Sequence, residues 1–362
     1  MTRDLWRVTR FDDADDLRRP LRHDGFERIP FQDADWLLAW ASTLGAAAGV
    51  ELSVVVVERV GEPAPVLVLP LMRERRHGIV RLTGWDRGVG DYNGALVAPG
   101  FSVTSDERAG LWAAIRRALP SADVIEIDKM PSSIGPVENP LVGLDGVVPS
   151  EFAGHPLPLG PDPLRLAEDR FDGTTRRSLA RKRKKLAAKG RLAFVVETGP
   201  EAVADLEQVL DWRARRFPET AESAGAFGIR AFYRRLTAQG GIARVATLRL
   251  DDRPVAGCFG TQTGASFQLV AIGHDARFDN WSAGLLAIES MVEWACGAGL
   301  ATFDFTIGEE PYKRAFGVDS MPLHDFAEPL SLRGRLFLIA RRLRRRLRDW
   351  KRAVRARRAD RA

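Results

Sequence analysis

At 362 residues the chain is long for one hydrophobic core and fits two domains of ordinary size. Its 45% hydrophobic and 28% charged residues are those of a soluble globular protein. No stretch approaches the roughly 20 apolar residues of a membrane span. The net charge of +6 hides a split, because residues 331–362 hold fourteen Arg or Lys against two Asp, leaving 40 basic and 46 acidic residues elsewhere. A mildly acidic body excludes whole-surface steering toward nucleic acid.

The opening residues Met1-Thr2-Arg3-Asp4-Leu5-Trp6 turn polar at once, so the sequence reads as cytoplasmic rather than exported. Apolar residues at helical spacing (Trp36, Leu37, Trp40, Leu44) predict a helix over 33–48. The β-branched run 51–58, the turn Gly61-Glu62-Pro63 and the run 65–72 predict two strands. A glycine-rich stretch, 84–94, precedes a predicted helix over 106–119 and a strand over 123–128. The segment 131–163 is rich in Pro and Gly and reads as a linker or irregular connection.

The second half opens with a predicted helix capped by Thr174 or Thr175 and stopping at Gly190. A strand over 192–196 and helices over 201–217 and 230–239 follow. Three strands over 242–250, 254–261 and 266–273 have connections short enough for hairpins. A helix over 283–297, a strand over 302–306 and a short helix from about Glu310 complete the half. Both halves repeat a meander, a small-residue connection, a helix and a strand, which predicts a duplicated α/β fold. The expected division is a first domain over 1–150, a linker over 151–170, a second domain over 171–330 and a basic tail over 331–362.

Asn280-Trp281-Ser282-Ala283-Gly284-Leu285-Leu286 carries the most chemical information. A helix N-terminus presents unpaired N–H groups and partial positive charge, and small residues let a pyrophosphate approach them. The plain alternative is that Ser282 is simply a cap. The matching helix of the first half opens Ser105-Asp106-Glu107, whose carboxylates would repel a phosphate. Further on, Phe303-Asp304-Phe305 leads through Gly308 to Glu309-Glu310-Pro311-Tyr312-Lys313. Acyl transfer needs a base, donors for an oxyanion and an acid for the leaving group. Asp304 or Glu309 suits the base, Tyr312 the acid, and Lys313 a phosphate or the oxyanion. Ordinary packing for Tyr312 and a salt bridge for Asp304 are the competing readings. Cys258 and Cys296, in apolar segments without ligand spacing, read as buried thiols, and His274 reads as packing. No metal is expected.

These residues, with Arg253-Pro254-Val255-Ala256-Gly257, Glu293-Trp294-Ala295, Tyr312-Lys313-Arg314-Ala315-Phe316-Gly317 and the basic run 176–182, resemble the GNAT acetyltransferase fold. The likeness is to the branch holding the CelD/BcsL-type cellulose-biosynthesis enzymes and FemAB-like transferases. Trp36, Leu69-Pro70-Leu71 and Asp91-Tyr92-Asn93 resemble the degenerate first domain of that branch. The resemblance implies two tandem GNAT-like domains with acetyl-CoA (acyl-CoA) as co-substrate. It also implies direct transfer to a sugar-, lipid- or amine-bearing acceptor of envelope or exopolysaccharide assembly. Residues 282–286 would then hold the pyrophosphate, and Asp91, Tyr92 and Trp85 would face the acceptor. Two departures stand out: Ser282 replaces the first loop glycine, and Asp279 replaces a Gln or Arg. They keep open a catalytically dead scaffold, beside a FemAB-like aminoacyltransferase using charged tRNA.

In the tail, apolar residues at 332, 336, 339, 343, 347, 350 and 354 fall on one helical face among arginines. Three readings stand: a helix lying on an anionic membrane surface, a helix packed on the body by that face, and, more weakly, an RNA-binding element. The eight basic residues over 176–189 suit CoA phosphates or a solvated helix face.

Overall fold

The β-branched run Leu52-Ser53-Val54-Val55-Val56-Val57 seeds the first sheet, with Val54, Val55 and Val57 fully buried. The computed structural model describes residues 5–344 except 14–15, 23–24, 63 and 219–227. The first half runs β1 (Trp6–Phe11), α1 (Arg18–Leu21), α2 (Ala34–Ala41), β2 (Val50–Arg59), β3 (Pro65–Arg76), β4 (Ile79–Thr83) and β5 (Leu96–Val97). It continues with α3 (Ser105–Ala118), β6 (Val124–Pro131), a small hairpin of β7 (Ser133–Ile134) and β8 (Val137–Glu138), and β9 (Val148–Gly154). Next come β10 (Pro156–Pro158), α4 (Pro163–Arg170), α5 (Gly173–Ala187), β11 (Leu192–Glu197), α6 (Val203–Arg216) and α7 (Ile229–Ala238). The chain then forms β12 (Ala243–Leu250), β13 (Arg253–Thr263), β14 (Ser266–His274), α8 (Ala283–Gly297), β15 (Thr302–Asp304), α9 (Pro311–Ala315) and β16 (Met321–Pro329). A C-terminal helix covers 332–344.

The two main sheets repeat one plan. In the first, the order is β1-β2-β3-β4-β6-β16-β9; in the second it is β11-β12-β13-β14-β15-β10. In each, a meander ends in a parallel pair, β4 with β6 and β14 with β15, and a helix (α3 or α8) bridges that pair. The duplication inferred from the order of elements is therefore a duplication of sheet topology. Turn chemistry supports it locally. Asp251 and Asp252 both take positive φ (48° and 66°) in the two-residue turn between β12 and β13. That conformation matches the strand twist and is one Asp tolerates.

Three expectations need correction. The segment 131–163 is not an irregular linker, since it forms β7 to β10 and opens α4 at Pro163 behind the Asp162 cap. Its short strands lack the periodicity that marks longer ones. Met321–Pro329, assigned to the second domain from its position in the chain, hydrogen-bonds in the first sheet between β6 and β9. Each sheet is thus completed from outside its own meander, the second by β10 on β15. The helix over 173–187 is capped by Asp172, whose carboxylate accepts from Thr175 N at 2.7 Å, so Thr174 and Thr175 lie inside the first turn.

The halves share one hydrophobic core. Trp36 of α2 and Phe232 of α7, both fully buried, meet edge to face at 4.8 Å. A second cluster fills the far side of the second sheet around α8, with Cys258, Cys296, Phe267 and Phe303 inside it. Both cysteines are free and buried, and burial pushes the Cys258 thiol up to about 12. That keeps it protonated and unreactive.

Candidate active site

The site is created where two parallel strands separate. β14 pairs with β15 only over Ser266–Gln268 against Thr302–Asp304. Beyond that, β14 continues along β13 to His274, while the other chain turns away through Thr306 (φ 59°) and Gly308 (φ 110°). The register of β13 against β14 slips at this level: Gly260 faces Leu269, Phe259 faces Ala271, and Val270 has no cross-strand partner. A bulge beside a strand separation exposes main-chain hydrogen-bonding groups to a ligand. A cavity of about 500 Å³ occupies the gap, lined by 269–272 and 305–308 from the second half and by Val89, Asp91 and Phe152 from the first.

The first half contributes a carboxyl to this cavity on a tightly held loop. Asp86 accepts from the N–H of Gly88 (2.9 Å) and Gly90 (2.8 Å), from Asn93 (3.2 Å) and from the buried Lys129 ammonium (2.6 Å). Lys129 also donates to Gly90 O at 2.5 Å, closing the loop just before Asp91. Burial raises the Asp91 carboxyl to about 6, against the lowering effect of the Thr306 hydroxyl and Lys129. At neutral pH such a group is mostly ionised yet basic enough to take a proton.

Tyr92, next in the chain, points elsewhere. Its hydroxyl donates to both oxygens of Asp304, at 3.0 and 2.9 Å, and both residues are buried. Asp304 also accepts from Thr306 N at 2.8 Å, and burial holds its carboxyl above the usual range. This pair is a clasp between the halves, and Gly154 makes room for it, since a Cβ there would lie 2.5 Å from the Tyr92 hydroxyl. Neither residue lines the cavity, so the structure turns the expected base and the expected acceptor contact into a joint. Trp85 is likewise core: it is 1% exposed and stacks on Trp40 at 5.8 Å and 19°.

On the opposite wall, Tyr312 is half-buried and lines the cavity, and burial keeps its phenol protonated. Lys313 is committed locally. Its ammonium donates to the carbonyls of Thr306 (3.3 Å), Ile307 (2.7 Å) and Gly308 (3.0 Å) and pairs with Glu310 at 3.0 Å. It lines the cavity, and its donors hold the carbonyls of the diverging loop. Glu309 is 70% exposed, 3.5 Å from His155 and off the cavity lining. Sequence reasoning missed Tyr233 of α7 and Arg213 of α6, which line the cavity. A compositional signal existed: the chain has three tyrosines, Tyr92, Tyr233 and Tyr312, and all three gather at the junction of the halves.

The proposed phosphate turn lies past the end of β14. Ser282 takes the left-handed conformation (φ 50°, ψ 47°) and starts α8 without a side-chain cap, and no acidic residue stands in the first turn. Lys182 of α5 donates to Ser282 Oγ at 2.6 Å, bringing an ammonium to the helix start. The carboxylate of Asp279 bonds to His274 at 2.6 Å, and His274 also meets Arg216. Asp279 is thereby engaged by the His274 imidazole beside the turn. His274 is more than packing, because its ring bonds both Asp279 and Arg216; it also lies 3.0 Å from where a Gly284 Cβ would sit, a tight contact. Ser282 and Leu285 are half-buried, whereas Ala283, Gly284 and Leu286 are buried. An uncapped helix start, an adjacent ammonium and the separated strands suit a pyrophosphate and its thioester arm. Among the described residues, no cluster of His, Cys, Asp or Glu could hold a metal ion.

Comparison with known proteins agrees with this geometry at the level of fold. Residues 173–314 match the family model of an acetyltransferase (GNAT) domain. The crystal structure of FemX superposes with a TM-score of 0.57 at 13% identity, covering 91% of this chain and 99% of FemX. A conserved protein of unknown function from Bacteroides thetaiotaomicron VPI-5482 gives 0.56 at 13% identity, covering 90% of this chain and all of its own. A tandem GNAT protein from the clavulanic acid biosynthesis pathway gives 0.49 at 14% identity, covering 90% of this chain and 99% of its own. No curated protein matches. The chain has two tandem GNAT-like folds, and the stretch that matches the acetyltransferase family model lies in the second.

Proposed function

We propose that the chain transfers an acyl group from coenzyme A to an acceptor held in the interdomain cavity, within the CelD/BcsL and FemAB-like branch of the GNAT superfamily. The observation that carries this reading is the Asp91 carboxyl, held near 6 by burial, facing the gap between β14 and β15. Bound acyl-CoA supplies a thioester, an activated acyl group on a good leaving group. Main-chain groups at the Val270 bulge orient that end, and the turn at Ser282 with Lys182 receives the diphosphate. Asp91 accepts the proton of the attacking hydroxyl or amine, because its ionised form dominates at neutral pH. Tyr312, protonated and on the opposite wall, returns a proton to the departing sulfur. Tyr92, Asp304 and Lys129 hold these groups in place from behind the cavity, and Lys313 fixes the loop of its wall. The acceptor we propose belongs to envelope or exopolysaccharide assembly, and the donor acyl group is acetyl.

Calorimetric titration tests the donor. Acetyl-CoA and CoA are expected to bind in the micromolar range, while charged tRNA gives no heat of binding. Heat from charged tRNA alone would establish aminoacyl transfer instead, and heat from none of the three would leave a scaffold.

A further inference from the structure

The C-terminal helix presents the face that packing would be expected to hide. Leu332, Leu336, Ile339 and Leu343 are 79%, 69%, 47% and 54% exposed. At about 100° per residue they form one stripe along the helix. The body is gripped by the other side, where Leu338, 3% exposed, packs with Ile79 and Val124. The orientation is locked at the helix start. Ser331 Oγ donates to Asp123 Oδ1 at 2.7 Å, and Gly334 N donates to Ser331 Oγ at 3.0 Å. A Cβ at Gly334 would lie 1.7 Å from Asp123 O, so only glycine allows this approach. The helix cannot roll to bury its stripe without breaking these contacts.

Arginines border the stripe on both sides. By the same helical geometry Arg335 and Arg342 fall along one edge and Arg333 and Arg344 along the other, and all four are exposed. Long guanidinium side chains so placed can lie along an apolar surface and reach anionic groups at its level. Beyond residue 344 the sequence keeps the same spacing with Leu347, Trp350 and Val354, and residues 331–362 carry fourteen basic against two acidic side chains.

We propose that this helix docks the protein on the surface of an anionic lipid bilayer, its leucine stripe in the acyl boundary and its arginines among the headgroups. Charge decides between occupants. A second copy of this helix would bring arginine edges against arginine edges, whereas an anionic bilayer neutralises both edges at once. Docking is parallel to the membrane plane, since no helix among the described residues is long and apolar enough to cross it.

The test mixes the full chain with vesicles of phosphatidylcholine alone and of phosphatidylcholine with phosphatidylglycerol, and reads the bound fraction by flotation. Wild type is expected to float with the anionic vesicles and to detach as salt is raised. Changing Leu332, Leu336, Ile339 and Leu343 together to Ser should weaken binding on the order of tenfold or more at an unchanged melting temperature. A second variant, with Arg333, Arg335, Arg342 and Arg344 changed to Gln, should bind both vesicle types alike and weakly. Equal binding by the leucine variant overturns the proposal. So does a wild-type dimer in sedimentation that the leucine variant converts to monomer without any vesicle binding, or loss of vesicle binding to competing RNA at constant ionic strength.

Discussion

The two halves build the same sheet and then begin the equivalent helix in opposite ways. At α3, Thr104 accepts from Glu107 N at 3.2 Å and Glu107 returns the bond to Thr104 N at 2.9 Å, a closed capping box. Glu107 also pairs with Arg59 at 2.9 Å, and these bonds hold its carboxyl below the usual range. At α8 the same position carries Leu285, Ser282 gives no side-chain cap, and the Lys182 ammonium bonds Ser282, while the Asp279 carboxylate is held by His274. One helix start is satisfied by a side-chain capping box; the other has no side-chain cap. The second half thus keeps an uncapped, carboxylate-free helix start, while the first half contributes the Asp91 carboxyl to the cavity between them.

The largest expected effect comes from a change at Asp91. Asp91→Asn should cut turnover by on the order of a hundredfold or more while leaving acetyl-CoA binding unchanged. In wild type, activity should rise with pH through about 6 as the carboxyl ionises, and the variant should lose that inflection. Stability gives an independent control. A carboxyl raised above its unfolded value binds protons more tightly when folded, so wild-type stability falls as pH climbs from the unfolded value toward about 6. The Asn variant lacks this loss and should melt at a higher temperature than wild type at pH 7.

A smaller effect comes from making the second helix resemble the first. Leu285→Glu places a carboxylate where Glu107 stands in α3 and should weaken coenzyme A binding about tenfold in titration. Unaltered affinity, with the melting temperature preserved, would remove this turn from the donor site. The smallest effect comes from the converse change. Thr104→Ala opens the box at α3 and should cost about 1 kcal/mol in denaturant unfolding. Turnover and coenzyme affinity should both stay at wild-type values, because opening that helix start creates no donor site.

Much of the second half was legible because its signals are local. The helix predicted over 283–297 matches α8 as observed, and the predicted meander matches β12 to β14 within a few residues. The absence of acidic residues in the first turn of α8 and the carboxylates of α3 could be read directly, since a helix start is a matter of four or five consecutive residues. That Asp91 lines the cavity with a raised carboxyl was not legible, because the shift depends on burial and on Thr306 and Lys129, which are distant in the chain. The bonds of Asp304, Tyr92 and Lys313 were not legible for a related reason: each has a partner that spacing alone does not reveal.

Sequence by itself determined the duplicated α/β plan, the carboxylate-free start of α8, the burial of both cysteines and the spacing of the C-terminal stripe. These follow from periodicity, turn chemistry and composition, which act over a few residues. Only the tertiary structure decided that Met321–Pro329 completes the first sheet, that Tyr92 clasps Asp304 across 212 residues, and that the C-terminal stripe faces outward. Strand pairing across a long separation, the desolvation of a carboxyl and the choice of which helix face is buried are set by neighbours distant in the chain.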